Sequence, residues 1–314
     1  MNKKTAILIP CYNEEQTVGK VIKDFENTFP TADIYVYDNN STDNTAEIVR
    51  EHMKNSDKVH LAYEQRQGKG NVIRSMFRDI EADCYIMVDG DDTYPADSFR
   101  ILEEDILTGK ADMAVGDRLS GSYHQENKRA FHSLGNNLVK GLINKIFGAN
   151  LNDIMTGARA LSRDFAKSYA VLVKGFEIET DMTIFALDKN FKISQHKIDY
   201  RDRPEGSCSK LNTYEDGIKV ISTIIRLFRD IKPFQFFSAI SAGLFAIAFG
   251  TFLPILKSYI ETGLVPRIPT LIVCIGLALF ASLTFFCGVI LQVLRRYEQG
   301  SFERQLTLLR TTKK

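Results

Sequence analysis

The sequence predicts an α/β domain with a doubly wound, mostly parallel sheet, followed by two helices long enough to cross a membrane. Three observations carry this expectation. Short apolar runs alternate with helical patterns from Thr5 onward, polar and acidic clusters recur at the ends of those runs, and two charge-free stretches occupy the C-terminal part of the chain. Strands separated by helices of this length imply βαβ units and a parallel sheet covered on both faces.

Taken in order, Thr5–Pro10 reads as a buried strand and Glu15–Thr28 as the helix that follows it. A strand over Ile34–Asp38, a helix from Thr45, a strand over Val59–Tyr63, a helix over Gly70–Ile80 and a strand over Cys84–Asp89 continue the alternation, and Met113–Asp117 adds another strand. In such sheets ligands bind beyond the carboxyl ends of the strands. The polar clusters fall there: Cys11–Glu14, Asp38–Asp43 and Asp89–Asp92.

Phe234–Leu256 and Ile268–Leu294 contain no Asp, Glu, Lys or Arg. Roughly 20 apolar residues cross a hydrocarbon core of about 30 Å, so each stretch is long enough to span one. Gly243, Ala246 and Gly250 on the first, with Gly276, Ala278 and Ser282 on the second, offer small surfaces for packing. Arg226, Arg229 and Lys232 precede the first stretch, and Arg295 and Arg296 follow the second. The positive-inside rule then puts both termini in the cytoplasm. Ile218, Ile221, Ile225 and Phe228 recur at helical spacing beside basic residues, as in a helix lying on a membrane surface or packed on the catalytic domain. The expected organisation is a catalytic domain over 1–211, an amphipathic interfacial helix over 212–232 and a two-helix transmembrane domain over 233–314 ending in a short cytoplasmic tail.

Bulk properties exclude several classes. A net charge of +1 without a basic stripe argues against a nucleic-acid binder. Five scattered cysteines with no CxxC pair favour free thiols in a reducing compartment. The basic Met1–Lys4 precedes an apolar run too short for a signal peptide, so the N-terminal domain is expected to stay in the cytoplasm. The dinucleotide fingerprint and the Walker phosphate loop are both absent, although Gly68-Lys69-Gly70 comes near.

The chemistry concentrates at Asp89-Gly90-Asp91-Asp92. Carboxylates crowded at one strand end repel one another unless a cation relieves them. Mg2+ or Mn2+, held by one or two carboxylates and completed by donor phosphates, meets that need.

Pro10-Cys11-Tyr12-Asn13-Glu14, Asp38-Asn39-Asn40-Ser41-Thr42-Asp43, Gly68-Lys69-Gly70 and Asp89-Gly90-Asp91, in this order, resemble the signature of inverting family 2 glycosyltransferases with the GT-A fold. Within that family the chain is similar to dolichyl-phosphate mannose synthase and bacterial polyprenyl-phosphate glycosyltransferases. The resemblance implies that Pro10, Tyr12, Glu14 and Asp38 hold the nucleoside, with Lys69 and Gly90 on the same side, and that Asp89 and Asp91 hold the metal and diphosphate. Relatives supply a further metal ligand at the position of Thr93, and either Thr93 or Asp92 can substitute.

The same resemblance assigns Arg118, Arg129, Ser133 and Arg203 to the phosphate of a polyprenyl lipid acceptor, with the loop Arg203-Pro204-Glu205-Gly206-Ser207 closing over the site. Guanidinium groups suit this task, being always charged and bidentate toward phosphate. Asp153–Gly157 is expected to face the sugar. Glu177, Glu179 and Asp181 either shape the sugar pocket or cap a helix from Asp181. A phosphate monoester, with a second pKa of about 6, needs no protein base to attack. His124, His132 and His196 lack metal-ligand spacing and read as structural. Two rival readings are a processive polysaccharide synthase and a non-catalytic membrane scaffold. The absence of tryptophan excludes the QxxRW motif of the first, and the intact acidic and basic motifs argue against the second. Two spans leave helix surface on which a homo-oligomer can form.

Overall fold

The computed structural model describes residues 3–118, 140–175, 177–201, 225–226 and 228–312. Contacts divide the chain into two units, Met1–Thr213 with Leu309–Lys314, and Tyr214–Leu308. In the first unit, β1 (Thr5–Cys11), α1 (Val18–Thr28), β2 (Asp33–Asp38), α2 (Thr45–Asn55), β3 (Val59–Tyr63), α3 (Lys69–Asp79) and β4 (Cys84–Met87) follow the predicted alternation. A 3-10 turn at Ala96–Phe99 leads into α4 (Arg100–Leu107) and β5 (Met113–Asp117). After these come β6 (Arg159–Ser162), α5 (Arg163–Ser168), α6 (Ile178–Asp188) and β7 (Ile193–Lys197).

The seven strands form one sheet in the order β3-β2-β1-β4-β6-β5-β7. Only β6 runs against its neighbours, pairing antiparallel with β4 and β5. The parallel strands are short and apolar because both faces are covered; Ile7, Ile9, Val36 and Ile86 are all buried in one core with Val18, Ile22 and Phe25 of α1. Phe25 packs edge-on to Phe99 with ring centroids 5.2 Å apart, a favoured aromatic geometry.

Two local differences from the sequence reading have clear causes. Helix α1 begins at Val18 rather than Glu15, because Glu14–Thr17 form a turn in which Glu14 O accepts from both Thr17 N and Val18 N. Glu15 is occupied elsewhere, its carboxylate accepting from Asn44 N at 3.0 Å. Helix α6 begins three residues before Asp181, and its first turn has no side-chain cap from Glu177.

Glu64, just past β3, carries an acid-sensitive stabilisation. Arg66 donates to it through Nη2 (2.7 Å) and Nε (2.9 Å), and Ser75 Oγ also donates. The Arg66 hydrogen bond chiefly holds its pKa down at about 2, against 4.5 ordinarily. A depressed carboxylate stabilises the fold fully above its unfolded value, and that contribution fades as pH falls from 4.5 toward 2. Circular-dichroism melts should therefore show Glu64→Gln less stable than wild type at pH 6, with the gap narrowing by pH 3; a constant gap would remove Glu64 from the acid response.

The second unit contains α7 (Pro233–Thr262) and α8 (Ile268–Thr311), with mean hydropathies of 2.0 and 2.4 over their most apolar windows. Both are long and apolar enough to cross a membrane, and only 17% of each window is buried. Phe249, Ile272, Phe280 and Leu283 are largely exposed. Helix α7 starts with Pro233 at its first turn and ends at Gly263, whose φ of 70° suits the left-handed cap.

The seam between these helices differs from the expected one. A Cβ at Gly243, Gly250 or Gly276 would meet nothing within 4 Å. Instead Ser241, Ala248 and Ile255 are buried on α7, and Cys274, Ala281 and Gly288 on α8. Both sets recur every seven residues, the repeat of a left-handed helix pair. Ser241 Oγ donates to Ala281 O at 2.7 Å, and a Cβ at Gly288 would approach Phe237 Cβ to 2.9 Å. Small residues are common along both helices, so only the seven-residue period separates the buried set from the open one. Arg295 Nη1 donates to Asp230 O at 3.3 Å, which brings the basic flanks of the two helices to one end.

Candidate active site

Because β1, β2, β4 and β5 share a direction, their C-terminal ends lie along one edge. The loops after β1 and β2 are knitted together there. Asn13 N donates to Ser41 Oγ at 2.9 Å and Thr42 N to Asn13 Oδ1 at 2.8 Å. Glu14 N donates to Thr45 Oγ1, and Glu15 N to Asp43 Oδ2. Asn13 and Asn40 take positive φ of 55° and 62°, which asparagine tolerates. Asn39 spans the next loop, accepting from Gly68 N at 2.7 Å and donating to the carbonyls of Glu64 and Arg66. Much of the polar cluster is thus loop architecture. Asp38 is different: its Oδ2 accepts from Ser41 N at 3.2 Å, while Oδ1 is buried with no hydrogen-bond partner among the described residues. A buried acceptor without a donor is a place for a ligand hydroxyl or N–H. Tyr12 is exposed and follows Cys11, which pairs in register with Asp38, and Pro10 is half-buried near the end of β1.

The turn after β4 is pinned to α1 by Thr17 Oγ1, which donates to Gly90 O at 2.7 Å. Gly90 lies against Cys11 and Glu14; an added Cβ would come within 2.9 Å of Cys11 Sγ. The turn's three carboxylates are held apart. Asp89 is bound by Lys69, whose Nζ also contacts Glu179 Oε1 at 2.6 Å. Burial acts to lower the Lys69 pKa, but the two carboxylates more than reverse this and hold it above the ordinary lysine value. Asp91 is 5% exposed and accepts from Thr93 Oγ1 at 2.7 Å. Asp92, with φ of 56°, pairs with Lys20 and lies 3.5 Å from Arg201 Nη1.

Among the described residues, no group of three or more His, Cys, Asp or Glu is arranged to hold a metal. The donor set fits a divalent ion of the kind that takes one or two carboxylates and draws its other ligands from phosphates and water. Asp89 and Asp91 are the two carboxylates in question; Thr93 donates its hydroxyl proton to Asp91, which leaves its oxygen lone pairs for a cation, and Asp92 faces two side-chain cations.

Lys69 reaches this cluster because Gly68 and Gly70 let the N-terminus of α3 pass close under residues 173–174. Gly70 N donates to Lys174 O at 3.0 Å, and a Cβ on Gly68 or Gly70 would overlap the carbonyls of Lys174 or Val173. The glycines therefore serve backbone packing here.

On the acceptor side, Arg118 follows β5 and is held by Asp153, Nε to Oδ2 at 2.8 Å. Its Nη1 is 3.4 Å from Tyr94 Oη, and its guanidinium lies 5.9 Å from the Tyr200 ring centre. Arg129, Ser133 and Arg203 lie outside the described residues, as do the rest of the 203–207 loop and residues 208–224. Arg201, at the root of that loop, donates its backbone N–H to Thr93 O at 2.8 Å. Asp181 turns onto Tyr169 Oη, and burial raises its pKa. His196 pairs with Asp105 at 2.6 Å.

One residue of the expected sugar-facing turn makes a specific contact at the site edge, and one site-edge residue escaped the sequence reading. Gly157 passes against Asp89, where a Cβ would overlap the carboxylate. Arg159 opens β6 fully buried, donating to Thr156 O (3.1 Å), Ile154 O (2.8 Å) and Thr183 Oγ1 (3.0 Å). Its only signal is a lone arginine within the apolar run Ala158–Leu161, which reads as easily as an exposed loop.

Residues 6–169 match the family described as Glycosyl transferase family 2. "Glycosyltransferase AglJ" of Haloferax volcanii is 27% identical over 300 residues, covering 95% of this chain and 96% of that protein. "Dolichyl-phosphate hexose transferase" of the same organism is 25% identical over 224 residues, covering 71% and 92%. "Polyprenol monophosphomannose synthase" of Mycolicibacterium smegmatis is 25% identical over 235 residues, covering 71% and 88%. Among solved structures, glucosyl-3-phosphoglycerate synthase from Mycobacterium tuberculosis, in complex with Mn2+, uridine-diphosphate and glucosyl-3-phosphoglycerate, is similar at a TM-score of 0.55. That match covers 72% of this chain and 79% of the other at 19% identity, a likeness of fold alone. With the sheet, its acidic edge and a family match across more than half the chain all in agreement, the protein is a glycosyltransferase belonging to family 2.

Proposed function

We propose that this glycosyltransferase moves a sugar from a nucleotide donor, a UDP-sugar, onto polyprenyl phosphate at the cytoplasmic face of a membrane, with inversion. The observation that carries the reading is the meeting of a carboxylate pair and a phosphate-seeking cation across one turn. Asp89 touches the turn at Gly157, and Arg118 is tied to it through Asp153.

Asp38, with its unpartnered buried Oδ1, is suited to the nucleoside, beside Pro10, Tyr12 and Glu14. Asp89 and Asp91 would hold Mg2+ or Mn2+, in line with the Mn2+–UDP complexes of the structural relative. When bound, that ion neutralises charge on the departing diphosphate. Arg118 offers its guanidinium to the acceptor phosphate and orients it for direct attack on the anomeric carbon. Glu179 is committed to Lys69 and Asp181 to Tyr169. A dianionic phosphate, abundant above its second pKa of about 6, dispenses with a base. The names of the relatives support a dolichyl- or polyprenyl-phosphate acceptor. The two apolar helices and their basic flanks support a membrane hairpin with the catalytic unit on the cytoplasmic side.

The test is incubation of detergent-purified protein with polyprenyl phosphate, Mn2+ or Mg2+ and a panel of labelled nucleotide sugars, followed by organic extraction. Label entering the lipid phase only with metal is the expected result. Label in a polymer, or in no lipid with any donor, overturns the reading.

A further inference from the structure

We propose that Arg159 is a positioning residue that holds the donor carboxylate Asp89 and the acceptor cation Arg118 in register. The inference rests on the transfer reaction above and assigns it a residue that touches neither substrate.

The placement begins with topology. Strand β6 is antiparallel, so its first residue lies at the edge where its neighbours end. Arg159 stands opposite Met87 of β4 and Val115 of β5. Those strands lead directly into Asp89 and Arg118 respectively. The side chain is fully buried, and burial lowers its pKa. Burying a guanidinium is costly unless its donors are met. Here they are met by the turn and by a helix. Nε and Nη2 bond the carbonyls of Thr156 and Ile154, fixing the turn on both sides of Met155. Nη1 bonds Thr183 Oγ1 on α6.

Each of these contacts continues into the site. The turn carries Asp153, which binds Arg118, and Gly157, which abuts Asp89. Tyr94 Oη lies 3.3 Å from Gly157 N and 3.4 Å from Arg118 Nη1, closing the loop between them. On the other branch Thr183 Oγ1 donates to Glu179 O at 2.9 Å, and the Glu179 carboxylate holds Lys69 against Asp89. One rigid fork thus braces the donor wall through α6 and the acceptor wall through the turn. A core residue needed only for packing could be Leu or Met, with no buried charge. The planar array of five donors is what a two-element brace uses.

Arg159→Lys removes the fork and keeps the charge; Thr183→Val keeps the arginine and cuts its link to α6. Both would be assayed beside wild type for transfer to polyprenyl phosphate and for hydrolysis of the donor by water. Rates are expressed per Mn2+–UDP-binding site, so that unfolded protein does not count. A misplacement of about 1 Å costs on the order of 100-fold in an oriented reaction. Arg159→Lys is accordingly expected to lower transfer on the order of 100-fold, and Thr183→Val on the order of tenfold, with donor and acceptor KM within about twofold of wild type. Hydrolysis, which needs no aligned acceptor, should fall far less. Should Arg159→Lys not fold, Thr183→Val decides alone. Equal losses of transfer and hydrolysis, a change confined to KM, or unchanged rates with a lower Tm would each reduce Arg159 to a packing residue. A wild type giving no glycolipid sinks the transfer reading together with this inference. An active wild type with unchanged variants sinks the inference alone.

Discussion

Asp91→Ala is expected to lower metal-dependent transfer on the order of 1000-fold while leaving the catalytic unit folded. The side chain is almost completely buried, and Thr93 Oγ1 steadies its carboxylate at 2.7 Å. Its neighbours are engaged differently: Asp89 is shared with Lys69, and Asp92 is drawn off by Lys20 and Arg201. Asp91 is therefore the most deeply set carboxylate of the turn, oriented by Thr93. Circular dichroism of the variant without metal checks that the unit is still folded. The loss should appear in calorimetric titration with Mn2+ and UDP, as weakened binding parallel to the lost rate. Asp92→Asn is a control from the same turn, expected to have a much smaller effect on that titration. Wild-type Mn2+–UDP affinity in Asp91→Ala would remove Asp91 from the metal shell.

The sequence declared β1 to β5 because each is a brief apolar run bounded by turn residues, the form a strand buried on both faces must take. It was silent on β6 and β7 for the opposite reason. Arg159–Ser162 is four residues long and begins with a charge, and Ile193–Lys197 is mostly polar. The acidic strand ends were visible as a site, but their division of labour was not. Asn13, Ser41, Thr42 and Asp43 look like ligand-side groups in one dimension; in three, Asn13 bonds Ser41 and Thr42, and Asp43 accepts from Thr45 and Glu15. Lys69 and Glu179 meet across 110 positions, a distance over which no local pattern speaks. The helix seam shows the same limit. Glycine and alanine mark both apolar stretches as capable of close packing, but the face that packs depends on where the two helices cross.

Lys69→Met is expected to destabilise the catalytic unit by about 3 kcal/mol, because it strands the buried Glu179 carboxylate and takes its partner from the partly exposed Asp89. In a unit of this size that corresponds to a fall in Tm of roughly 6–12 °C. The Lys69 side chain is 8% exposed and that of Glu179 6%, so water cannot replace the lost partner. Methionine fills a similar volume, leaving charge as the main change. Two further measurements separate this cause from a packing fault. Adding Glu179→Leu to Lys69→Met removes the stranded carboxylate and should recover much of the lost Tm, since apolar replacement of a buried pair is often neutral. Mn2+ with UDP should also raise the Tm of Lys69→Met more than that of wild type, because the ion can take over at Asp89 the role the lysine leaves. A double variant no more stable than Lys69→Met, with equal Tm gains from Mn2+–UDP in variant and wild type, would make Lys69 a packing residue. The opposite result would make the lysine the site's own resident cation, holding Asp89 in place until the metal arrives with the donor.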